Sequence, residues 1–187
     1  MAEEYFGRAI RLVGKNINLD KSFYAYLSDV YLNFGLFLFE TNKYQQALDY
    51  FRKSEKIKNA YNLPDLDMVY LNMAKIYFET GNFEDAQEYF EKCRYEMVTG
   101  KGQDYFRIPS LYFSYSQFLR TAGKDDEALA LLQKALSVCL LNYGEKHSLT
   151  SRSYQLTGDI FFSRKDYQRA LEYYQKSLIS ITEGFDD

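Results

Sequence analysis

The chain has 187 residues, 47% hydrophobic and 26% charged, enough apolar material for a sizeable core. Its net charge of −3 comes from acidic and basic residues that are interspersed, so it lacks the basic stripe that phosphate contacts require, and no nucleic-acid partner is expected. No apolar run reaches membrane-spanning length, the amino terminus lacks a signal-peptide pattern, and Cys93 and Cys139 are too few for a disulfide framework; a cytoplasmic setting and no membrane partner follow.

Nineteen Tyr and fifteen Phe against only two prolines, Pro64 and Pro109, predict long helices and few turns. In chain order, Ala2, Phe6 and Ala9 come first, with the spacing of a lone second helix over 2–17. Four segments then align without gaps, Tyr31 to Ala47, Tyr70 to Ala86, Tyr112 to Ala128 and Tyr154 to Ala170. Twelve residues before each alanine stands a small residue: Gly35, Ala74, Ser116 and Gly158. Four residues after each alanine stands a bulky one (Phe51, Phe90, Leu132, Tyr174), and three further on a small one (Ser54, Cys93, Ala135, Ser177). The repeats occupy about 28–61, 67–100, 109–142 and 151–183 of a single repeat domain.

Helix packing explains the pattern. The first half of each copy has apolar residues at helical spacing, as in Tyr31, Phe34 and Leu38. Its small residue lets a partner helix come close. A short break follows, in which Asn42, Asn82 and Asp166 are placed to cap a second helix. That helix uses its alanine and the following bulky residue to fill the space opposite. The product is an antiparallel helix hairpin, repeated.

These features resemble the tetratricopeptide repeat family, whose unit is typically about 34 residues. Here the key alanines lie 39, 42 and 42 residues apart, which lengthens the second helices, and Asp125 stands where other copies have Tyr44, Phe83 and Tyr167. In these longer units the chain is similar to kinesin light chain repeats and to the repeats that precede caspase-like CHAT peptidase domains. The resemblance implies an all-α fold, a right-handed α-α superhelix of about nine helices. It also implies a protein–protein interaction scaffold that binds a peptide or protein in a concave groove lined by the first helices. No polar capping helix is evident at either end, so the chain reads as a fragment of a longer repeat protein. The alternative is a small protein that self-associates through its uncapped ends.

The residues offer little chemistry. His147, the only histidine, falls in a linker, where a solvated or capping role is expected. Cys93 fills a small-residue position and Cys139 adjoins Leu140 and Leu141; neither has a histidine nearby in sequence. No zinc, calcium or phosphate-loop pattern occurs, so no catalytic, cofactor or metal residue is assigned. Glu84-Asp85 and Asp125-Asp126-Glu127 sit where second helices begin, matching negative charge to the helix dipole.

The candidate groove lies on the flank of the first helices away from the Tyr and small residue. It comprises Leu36 and Phe39 beside Leu32, then Leu71, Lys75, Phe78 and Glu79, then Phe113, Gln117 and Arg120, then Arg152, Gln155, Asp159 and Phe162. The mixture is apolar toward the amino terminus and mixed in charge later, which suits a peptide with apolar anchors. The family's clamp for acidic chaperone tails needs Lys, Asn and Arg where this chain has Leu32, Leu36, Ser110 and Ser114, so that ligand is not expected. Two other readings remain: a regulatory arm of a larger enzyme such as a CHAT peptidase, and a peptide-sensing regulator.

Overall fold

The computed structural model describes residues 20–182, together with Glu4, Gly7 and Arg8. Among the described residues there are eight long helices and no strand. They are α1 (Lys21–Glu40), α2 (Tyr44–Tyr61), α3 (Leu66–Glu79), α4 (Phe83–Lys101), α5 (Ile108–Thr121), α6 (Asp125–Tyr143), α7 (Ser148–Ser163) and α8 (Tyr167–Ile181). The half-repeat expected over 2–17 lies outside the described residues apart from the three named. The longer spacing of the alanines appears as long second helices, with 18, 19 and 19 residues in α2, α4 and α6.

Local sequence sets most helix ends. Asp20 starts α1 by accepting the Phe23 amide at 3.0 Å, so α1 begins before the repeat boundary expected near residue 28. Pro109 stands in the first turn of α5, where its missing amide costs nothing. His147 accepts the Leu149 amide through Nδ1 at 3.1 Å, the capping role expected of it, and stacks on Tyr143 at 4.4 Å.

The four tight turns share one device. Asn42, Gly81, Gly123 and Lys165 all adopt positive φ, between 59° and 77°. In each case the next amide reaches back to the first helix, as in Lys43 N to Leu38 O and Asp166 N to Phe161 O. This corrects one expectation. Asn42 does not cap α2 with its side chain; it is the left-handed residue that closes α1. Asn82 and Asp166 do cap, accepting the amides of Asp85 at 3.4 Å and Arg169 at 3.3 Å.

The chain divides into two compact units, Met1–Glu96 and Met97–Asp187. In the first, α1 pairs with α2, α2 packs on α3, and α3 pairs with α4. In the second, α5 pairs with α6, α6 packs on α7, and α7 pairs with α8. Within both, the alanines Ala47, Ala86, Ala128 and Ala170 and the small residues Gly35, Ala74, Ser116 and Gly158 are buried. A Cβ added at Gly35 would lie 2.5 Å from Phe51 Cε1, and one at Gly158 would lie 2.8 Å from Tyr174 Cε1. The registered small and bulky residues therefore meet face to face, as the packing argument requires.

A second registered contact ties the first, second and fourth hairpins at their open ends; the third has Ala135 at that position, whose side chain has no donor. Ser54 Oγ donates to Ser28 O at 2.8 Å, Cys93 Sγ to Asp67 O at 3.3 Å, and Ser151 Oγ to Ser177 O at 2.9 Å. Each pair is separated by the same number of residues, so a small residue at this position also brings the helices close enough for a short side chain of one to bond the backbone of the other. Burial pushes the Cys93 thiol well above its ordinary pKa, which keeps it a neutral packing group.

Candidate functional site

The flank predicted as a groove is built separately in each unit. In the first, Leu36 and Phe39 on α1 and Lys75 and Phe78 on α3 are half-buried, and Glu79 is exposed. Leu32 and Leu71 are buried, Leu71 being 8% exposed, so both serve packing. Phe39 leans on Tyr44 at 5.8 Å between ring centroids and Phe78 on Phe83 at 6.3 Å, each bracing the turn beside it.

In the second unit two contacts hold α5 and α7 side by side on that flank. The Arg152 guanidinium lies 5.6 Å above the Phe113 ring, and Arg120 Nη2 donates to Asp159 O at 3.4 Å. Phe113 is only 4% exposed, so it is a floor under Arg152 rather than an open anchor. Gln117, Arg152, Gln155 and Phe162 are exposed, with Arg120 and Asp159 half-buried beside them. Asp159 Oδ1 accepts from Tyr174 O–H at 2.9 Å, which fixes its carboxylate; burial, and then this bond, raise the Tyr174 pKa. Phe162 pairs with Tyr167 at 5.5 Å. The flank thus presents two amides and a braced cation over an aromatic floor.

Sequence reasoning missed one recurring arrangement. Lysine occurs six residues after every key alanine, at Lys53, Lys92, Lys134 and Lys176. Lys53 Nζ lies 4.4 Å over Tyr50, Lys92 Nζ 4.4 Å over Tyr89, and Lys176 Nζ 5.3 Å over Tyr173. Each tyrosine also contacts the first tyrosine of its copy, Tyr31, Tyr70 or Tyr154. The third copy has Leu131 in place of the ring. A tyrosine three residues and a lysine six residues after the alanine was the available signal. Recesses of about 360 Å³ and 190 Å³ lie beside two of these contacts, the first at Tyr70, Lys92 and Tyr95, the second at Tyr154, Lys176 and Ile179. Neither belongs to the candidate groove.

The acidic openings of the second helices are structural. Asp125 and Asp126 both receive Arg164, at 3.4 Å and 2.8 Å, which links the turn of one hairpin to that of the next. Among the described residues no three metal-ligating side chains gather, and no helix is long and apolar enough to cross a membrane.

Serial antiparallel hairpins with registered small residues define a helical repeat protein of the interaction-scaffold class. The tetratricopeptide repeat profile matches residues 26–94 and 107–178, and the chain belongs to that family. Among solved structures it is similar to BtubC (BKLC) from P. vanneervenii, with TM-score 0.83 and 15% identity over 100% of this chain and 76% of that one. It is also similar to a putative kinesin light chain with nearly identical repeats from Podosopora anserina, with TM-score 0.67 and 14% identity over 95% and 84% of the two chains. Aspartyl phosphate phosphatase F from Bacillus subtilis gives TM-score 0.70 and 15% identity over 96% of this chain but 54% of that one. Among curated proteins no sequence matches significantly.

Proposed function

We propose that this chain binds a peptide or protein partner on the first-helix flank, and that the α5–α7 surface is its contact. The observation that carries this reading is Arg152 held over Phe113 beside exposed Gln117 and Gln155. Each amide side chain offers both a donor and an acceptor, the two groups an extended peptide backbone presents. A guanidinium already braced on a ring loses less freedom when it meets a carbonyl or carboxylate. The half-buried Phe39 and Phe78 supply apolar surface on the corresponding flank of the other unit.

The test is selection of displayed random peptides, roughly 12 residues long, on the immobilised chain. Peptides recovered this way are expected to lose at least about tenfold in affinity with Arg152→Ala combined with Gln155→Ala, at unchanged helicity. Recovery of no peptide, or of peptides indifferent to the pair, overturns the assignment of this flank.

A further inference from the structure

His147 is the only histidine in the chain, and it stands where α7 begins. Its backbone is extended, and its Nδ1 accepts the Leu149 amide at 3.1 Å in a partly buried position. An imidazole nitrogen accepts a hydrogen bond only when it carries no proton, so the proton of the neutral ring sits on Nε2. Protonation at Nδ1 sets a donor against a donor. It also places positive charge at the helix end that favours negative charge. An asparagine cap would keep its acceptor through the same pH range; histidine does not.

The surroundings do not offset this loss. The charged and titratable groups on the elements packed about the ring are Tyr143 on α6, Glu145 and Lys146 in the same connection, Lys176 on α8, and Asp104 and Arg107 ahead of α5. Among the described residues neither carboxylate bonds the ring, and Lys146 is taken up by the carbonyls of Ile179 and Thr182 at 3.1 and 3.2 Å. Tyr143, stacked on the ring at 4.4 Å, favours the charged form. At a half-buried site that gain is smaller than the lost cap and the misplaced charge together. The turn so loosened leads directly to Arg152, whose amide reaches back in an α-helix to Ser148, the first residue after the cap. Thr150 and Ser151 remain tied to Gly144 and Ser177, so the helix loosens at its start and does not unfold.

We infer that His147 is a pH-sensitive latch on α7: the neutral ring holds the first turn, and protonation loosens it and weakens partner binding beside Arg152. The effect on binding rests on the contact surface proposed above; the latch itself does not. NMR of the wild-type chain reads the latch without a ligand, because one histidine gives one set of ring signals. Between pH 8 and pH 5.5 the exchange protection of the Leu149 amide is expected to fall at least about threefold, following the ring titration. His147→Asn, which caps without titrating, is expected to keep that protection. Stability is complete with the ring neutral and is lost as the pH falls, so the wild-type melting temperature should drop about 2–4 °C further than that of His147→Asn. Peptides selected on the flank are expected to weaken at least about twofold more in the wild-type chain than in His147→Asn over the same range. Ring protonation with unchanged Leu149 protection, or equal pH responses of the two chains, overturns the latch. Loss of Leu149 protection with peptide binding that ignores pH overturns the control of binding. Recovery of no peptide overturns the contact surface instead, and the latch is then decided by Leu149 alone.

Discussion

The first and fourth hairpins are built on the same contact and differ in what lies over it. In α1–α2, Gly35 meets a Phe51 ring that is fully buried, and Lys58 in the last turn of α2 is 3% exposed. In α7–α8, Gly158 meets a half-buried Tyr174, and Ile181 at the same register is open to solvent. One sequence code thus gives two mechanical environments. The contact inside a hairpin is set by the pair of residues that form it, but its rigidity is set by the hairpin stacked outside.

Introducing bulk at the two glycines tests this most directly. Gly35→Leu is expected to cost roughly 3 kcal/mol, because Phe51 has nowhere to move. Gly158→Leu should cost closer to 1 kcal/mol, because Tyr174 can swing toward solvent at the loss of its bond to Asp159. Urea midpoints of the two variants decide the matter, and equal losses would show that outside packing adds nothing.

The next effect is smaller and confined to one side of the comparison. His147→Ala removes the cap of α7 and should cost about 1 kcal/mol, read as a lower melting temperature. Hydrogen exchange should then quicken at Leu149 and its neighbours, with α1 and α2 unaffected.

The smallest effect concerns the turns. Lys165 holds a left-handed conformation that Gly81 and Gly123 adopt without a side-chain penalty. Lys165→Gly is expected to stabilise the fourth hairpin by about 0.5 kcal/mol, and Gly123→Lys to cost about 1 kcal/mol at the equivalent turn of the third. If both changes are neutral, the turns are not held by the device described above.

Much of this fold could be read in advance because its contacts are local. The small residue and the bulky residue of each copy lie within one hairpin, so their register appears directly in the chain. The Lys–Tyr contacts were equally local and could have been found by following the same register three and six residues further. The candidate groove was harder to read, since a flank of a first helix meets either another hairpin or water. Leu71 and Phe113 look alike in sequence to Leu36 and Phe39, yet the first two are buried and the second two half-buried. Asn42 misled for a related reason: asparagine serves both as a helix cap and as a left-handed turn residue, and only backbone geometry separates the roles.

The sequence alone determined the family, the helix order and the pairing of helices within hairpins. These rest on side-chain size and spacing along one chain. Tertiary structure alone decided that Arg152 rides on Phe113 and that Arg164 links successive turns. Those facts depend on which hairpin stacks on which surface, and no spacing within a single copy encodes that.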